Sequence, residues 1–106
     1  ESLMGGMSCD EVSLIPWKIL KNSVNHCVTV NDEYISETVK SLANCKFNDE
    51  KIIGGECSTP GIISLIGLSN DVEIRKKINL NENSNVLLFG CEGDADEELY
   101  QKLLNQ

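Results

Sequence analysis

Val86-Leu87-Leu88-Phe89-Gly90 is an unbroken apolar run that stops abruptly at Cys91-Glu92-Gly93-Asp94. Apolar on both faces and bounded by turn residues, it predicts a strand buried on both sides, as strands of parallel sheets are. Two shorter segments share the character. His26 to Val30 is β-branched and closes on Asn31-Asp32, and Ile52 to Glu56 carries two glycines that let the backbone turn sharply after a short buried stretch.

Between these segments the periodicity is helical. Leu14 to Val24 has apolar residues at helical spacing, with Ser13 in capping position and Pro16 tolerated in the first turn. Ile35, Val39, Leu42 and Ala43 fall on one face of a second helix ending near Asn44, with Glu33 and Glu37 in its early turns. Asn48 to Lys51 is a polar turn. Ser58 or Thr59 can cap a third helix with Pro60 at its first position, and the uniformly apolar Ile62 to Leu68 predicts burial on most sides. Asp71 to Ile78 gives a short fourth helix whose Arg75-Lys76-Lys77 cluster lies toward the C-terminal end, where the dipole favours cations. Asn79 to Asn85 is a polar loop. Asp94 or Asp96 can cap a last helix through Leu99, Tyr100, Leu103 and Leu104.

Helices alternating with three strands predict an α/β fold: a three-layer arrangement of a parallel sheet of about three strands with helices on both faces. A sheet that thin leaves an edge unpaired, and the chain opens at Glu1 without an initiator methionine or leader. Both features read like a cut through a larger protein, so residues 1–106 are taken as one piece of a longer catalytic region.

Charge and cysteines narrow the partners. A net charge of -8, spread through turns and helix starts, repels nucleic acid and anionic lipid. The longest apolar runs are far below the roughly 20 residues that a bilayer crossing needs, so a cytoplasmic protein is expected. Five cysteines at wide intervals, without a Cys-x-x-Cys pair and with His26 the only imidazole, predict reduced thiols in place of a zinc site or disulfide framework. No metal is assigned.

In open parallel sheets ligands gather beyond the carboxyl ends of strands, which places the chemistry in Gly54-Gly55-Glu56-Cys57-Ser58 and Gly90-Cys91-Glu92-Gly93-Asp94. Glycines at a helix start can cradle a phosphate, yet Glu56 opposes one and no nucleotide fingerprint is present, so a plain strand-to-helix turn is the stronger reading. Asp94 and Asp96 are read as caps before metal ligands, and His26 as structural. Cys91, at a strand end, can point into a cleft or pack as a buried thiol.

These blocks resemble the fold-type II pyridoxal-phosphate enzymes, the family of the threonine and serine dehydratases, and most nearly its diaminopropionate ammonia-lyases. The resemblance rests on Met4-Gly5-Gly6-Met7-Ser8-Cys9-Asp10, Trp17-Lys18-Ile19-Leu20, Gly54 to Gly61 and Cys91-Glu92-Gly93-Asp94-Ala95-Asp96, in that order along nearly the whole chain. It implies a cofactor-binding set of Cys91, Glu56, Gly55 and Gly93. The thiol of Cys91 would face the cofactor's pyridine nitrogen and Glu56 its other edge. Cys91 in place of a threonine, and Cys57-Ser58-Thr59 in place of Ser-Gly-Ala, depart from the family pattern.

The family's Schiff-base lysine and phosphate loop precede this region, and none of the eight lysines here sits in a matching motif. The resemblance therefore implies no catalytic residue in this chain. It implies pyridoxal phosphate in the parent enzyme, an N-terminal remainder of that enzyme as partner, a homodimeric parent and a small amino-acid substrate. The implied reaction is α,β-elimination of 2,3-diaminopropionate to pyruvate and ammonia, absent from the isolated piece. Another amino-acid dehydratase of the same fold type, or a stand-alone small α/β binding domain, are the alternatives.

Overall fold

The computed structural model describes residues 2–47 and 50–106. Five helices carry the structure: α1 (Leu14–Ser23), α2 (Ile35–Ala43), α3 (Pro60–Asn70), α4 (Val72–Lys77) and α5 (Glu97–Asn105). Single 3-10 turns at Gly5–Met7, Asp32–Tyr34 and Glu56–Ser58 punctuate the connections. Among the described residues no helix is long and apolar enough to cross a membrane.

The core is small and lies where α2 meets α5. Spacing puts Ile35, Val39 and Leu42 on one stripe of α2, and all three are buried. Tyr100 and Leu103 of α5 close on them, joined by Met4, Cys57 and Ile63 from three other parts of the chain. The Ser36 hydroxyl donates to the Leu103 carbonyl at 2.7 Å, satisfying an acceptor in the last turn of α5. Asp96 starts that helix by accepting from the Leu99 N–H at 2.9 Å, and Glu97 and Glu98 favour the positive end of its dipole. Asp71 caps α4 in the same way through Ile74 N–H. The N-terminal arm is held by Asp32, whose carboxylate accepts from Ser2 Oγ at 2.8 Å and Leu3 N at 2.6 Å, and this seats Met4 in the core.

The expected helix spans hold closely, although Ser13 and Thr59 stand at their cap positions without a side-chain cap bond, but the parallel sheet does not exist: among the described residues there is no strand. The reason lies in where the backbone hydrogen bonds go. Ile52 N–H donates to the Leu42 carbonyl at the end of α2, and Gly55 N–H to the Glu92 carbonyl, so this segment spends its donors on a helix end and a loop. No backbone bond joins residues 26–30 or 86–90 to any described residue. An apolar run supplies side chains for a sheet, but a strand also needs a neighbour about 4.8 Å away with complementary donors and acceptors.

Burial is corrected along with the sheet. Leu87 is 77% exposed and Phe89 76%, so the run expected to be covered on both faces faces outward. Leu88 leans on α3, where a Cβ at Gly61 would lie 3.3 Å from its Cδ2. The apolar α3 is likewise covered on one side only, with Ile63 buried and Ile66 exposed. Helix α1 has no buried residue. The polar turn expected over Asn48 to Lys51 falls largely on Asn48 and Asp49, outside the described residues.

Candidate functional site

Two loops expected to carry chemistry meet at one end of the molecule, although 34 residues separate their central contact. Gly54 and Gly55 lead into the Glu56–Ser58 turn, and Pro60, which has no N–H to leave unpaired, opens α3 directly behind it. The Thr59 hydroxyl donates back to the Glu56 carbonyl at 2.8 Å and tightens the turn. Across from it, Ser58 Oγ donates to the Glu92 carbonyl at 2.5 Å, Glu92 N–H donates to Ser58 Oγ at 3.1 Å, and Gly55 N–H donates to the same carbonyl at 3.2 Å. Gly55 is required for this approach. A Cβ there would overlap the Gly93 carbonyl oxygen and the Glu92 side chain.

The junction brings Glu56, Cys57 and Glu92 together, their carboxylate oxygens and thiol sulfur all within 4.8 Å of one another. Cys57 is 2% exposed, and the Gly5–Met7 turn covers it: a Cβ on Gly6 would lie 3.4 Å from Cys57 Sγ and 3.7 Å from Glu92 Oε2. Burial pushes the Glu56 carboxyl above its ordinary range, and the charges of Glu92 and Asp96 push the same way, against its own backbone N–H. Burial and the neighbouring Glu92 raise the Cys57 thiol as well. With the Glu56 carboxyl and the Cys57 thiol both raised, two of the three groups give up their protons less readily than usual, which weakens the cluster as a cage of anionic metal ligands.

Of the four residues expected to bind cofactor, Gly55 is buried, Glu56 half-buried, and Cys91 and Gly93 exposed. The fold draws Gly55 and Glu56 against the 92–93 backbone, and Cys91 lies one residue from that contact with its side chain open to solvent. Sequence reasoning places Glu92, Cys57 and Ser58 within the two candidate loops but assigns none of them a role at the site. Glu92 stands beside a singled-out cysteine and Ser58 is also a possible cap, and no periodicity links positions 58 and 92. His26 is exposed, Asp96 caps α5, and four of the five cysteines are exposed instead of packing as small apolar residues.

A further cavity lies elsewhere. A cleft of about 870 Å³ opens between α2, α3 and residues 28–31, lined by Val30, Thr38, Phe47, Ile63, Ser64 and Gly67 among others, and none of the four expected cofactor residues reaches it.

No family model matches the chain, and no solved structure matches it. Among curated proteins it is 27% identical over 106 residues to a diaminopropionate ammonia-lyase of Escherichia coli strain K12, covering 97% of this chain and 27% of that relative. The diaminopropionate ammonia-lyase of Salmonella typhimurium strain LT2 is 24% identical over 107 residues, covering 97% of this chain and 26% of the relative. The chain thus spans about a quarter of the length of the curated relatives it matches, and its similarity to them runs along nearly all of its own.

Proposed function

We propose that this chain forms one wall of the cofactor site of a pyridoxal-phosphate-dependent ammonia-lyase that acts on 2,3-diaminopropionate. The observation that carries the reading is the meeting of the 54–59 and 91–93 loops, which belong to two of the four blocks that carry the resemblance to such enzymes, in one hydrogen-bonded junction. The collinear similarity to two ammonia-lyases supports it.

The chemistry of the junction fits the ring of the cofactor and not its phosphate. The acidic set of Glu56, Glu92 and Asp96 disfavours a phosphate, whereas a Glu56 carboxyl raised by burial and the open Cys91 thiol suit the edge of a heteroaromatic ring. When bound, the cofactor supplies the electron sink for removal of the α-proton and expulsion of the β-amino group. Cys91, a thiol and so a weak donor, would leave the ring nitrogen unprotonated, and Glu56 would face the ring's other edge. Ser58 and Gly55 keep the two loops in register. The lysine that anchors the cofactor belongs, on this reading, to polypeptide outside these residues, so the isolated piece is inactive.

Expression of the protein in its full natural length, with pyruvate release followed from 2,3-diaminopropionate, threonine and serine in parallel, tests the proposal. Turnover fastest with 2,3-diaminopropionate supports it, and a Cys91→Asp variant should then shift the absorbance of the bound cofactor by protonating its ring. Faster turnover of threonine or serine would favour a dehydratase. Absence of pyruvate from all three substrates would sink the reading.

A further inference from the structure

The backbone of the arm from Ser2 to Met7 is satisfied mostly within the arm itself. Gly5 N–H donates to the Leu3 carbonyl at 2.9 Å, Met7 N–H to the Met4 carbonyl at 3.0 Å and Ser8 N–H to the Gly5 carbonyl at 3.1 Å. Among the described residues two hydrogen bonds join the arm to another element, from Ser2 Oγ at 2.8 Å and from Leu3 N–H at 2.6 Å, and both end on the carboxylate of Asp32. The second attachment is a side chain. Met4 is buried in the core, whereas Leu3, Gly5, Gly6 and Met7 are exposed.

Beneath the arm lies Cys57, the one buried cysteine of the five. A Cβ on Gly6 would stand 3.4 Å from its Sγ and 3.7 Å from Glu92 Oε2, so the Gly5–Met7 turn rests backbone-first on the thiol and the carboxylate. Lifting the arm costs the two Asp32 bonds and the packing of Met4. The Ser58–Glu92 bonds and the Ser36–Leu103 bond between α2 and α5 involve no atom of the arm and survive its movement. A segment with one buried side chain, internal backbone bonds and an exposed point of attachment opens more readily than the core it covers.

We infer that residues 2–7 form a strap, latched by Asp32 and plugged by Met4, whose opening uncovers the Cys57 thiol while the α2–α5 core stays folded. Both attachments act on one motion, because the 3-10 turn that covers Cys57 begins at the residue after the Met4 plug. Asp32 therefore controls access to Cys57 through the arm. The inference rests on the contacts of the arm and not on the lyase reading.

The test uses the protein in its full natural length at one fixed pH. Alkylation by iodoacetamide, in which the thiolate sulfur displaces iodide, is followed on the Cys57 peptide by mass spectrometry. Cys57 should react at least about tenfold more slowly than in the denatured protein. Asp32→Ala should speed it by about fivefold or more, and Ser2→Ala, which removes one of the two bonds, by less. In sub-denaturing urea the Cys57 rate should stay nearly flat, since lifting the arm exposes little surface, while hydrogen exchange at the Leu103 amide in α5 climbs steeply. Three results would overturn the strap: Cys57 as reactive as in the denatured protein, a rate that Asp32→Ala leaves unchanged, or a urea dependence as steep as that of Leu103, which would make global unfolding the route. Should Asp32→Ala not fold, Ser2→Ala decides alone, a faster Cys57 supporting the strap and an unchanged one overturning it. Alkylation reads the cover over a thiol and not turnover, so its failure is distinct from failure of the proposed enzyme activity.

Discussion

Ser58 and Glu92 exchange two hydrogen bonds through one hydroxyl, Ser58 Oγ donating to the Glu92 carbonyl and accepting from the Glu92 N–H. Ser58 is buried and Glu92 half-buried, so both bonds lie at a contact partly shielded from water. Ser58→Ala should therefore cost about 1–3 kcal/mol, the penalty of leaving buried polar groups unpaired, measured by denaturant unfolding. Gly55 N–H still reaches the Glu92 carbonyl, so the loss should stay below complete unfolding. A neutral Ser58→Ala would mean that the two loops are not joined in solution.

Gly55 and Gly67 make a paired test of the same junction. At Gly55 a methyl group collides with the Gly93 backbone, which cannot swing aside as a flexible side chain would, whereas at Gly67, inside α3, nothing lies within 4 Å of the added carbon. Gly55→Ala should destabilise by roughly 1–3 kcal/mol through forced overpacking. Gly67→Ala should stabilise by about 0.5–1 kcal/mol, because alanine has the higher helix propensity and less freedom to lose. Thermal unfolding of the two variants side by side separates a tight loop contact from a general intolerance of substitution.

Leu103 and Leu87 show what the sequence could and could not convey. Helices were legible because their signals are local. Asp71 and Asp96 cap the helices they precede, Pro60 stands at the first position of α3, and the Ile35, Val39, Leu42 stripe faces the core. The sheet was misread because apolar content at 86–90 is a local fact, whereas a ladder is a relation with another segment, and no described segment supplies it. The junction was half legible: Glu56 and Gly55 were named from one loop and Cys91 and Gly93 from the other, but the Ser58–Glu92 bond that unites them spans 34 residues. Burial separates the two readings by experiment. Leu103 is fully buried and Leu87 is 77% exposed, so Leu103→Ala should cost about 2–5 kcal/mol and Leu87→Ala no more than about 0.5 kcal/mol. A large penalty at Leu87 would mean that the apolar run is covered after all.

The raised Glu56 carboxyl should also set how stability varies with pH. Glu56 titrates above its ordinary 4.5 in the folded chain, so the native state binds this proton more tightly than the unfolded state does. The resulting stabilisation is complete below about 4.5 and is lost as pH rises through the higher folded value. Cys57 acts in the same sense in the alkaline range, its thiol lying above the ordinary 9.0, so stability falls again there as the unfolded thiol ionises first. Asp32 works in the opposite direction: the Leu3 N–H and Ser2 hydroxyl hold its carboxyl below 3.8, and the stability they lend is lost as pH falls through that lower value. Between these limits, unfolding midpoints should decline as pH rises from about 4.5 through the higher folded value of Glu56, and Glu56→Gln, which keeps a hydrogen-bonding amide where the charge would form, should flatten the decline. A slope unchanged in Glu56→Gln would show that the proton resides on another group, and a midpoint that rises with pH over this interval would reverse the electrostatics assigned to the junction.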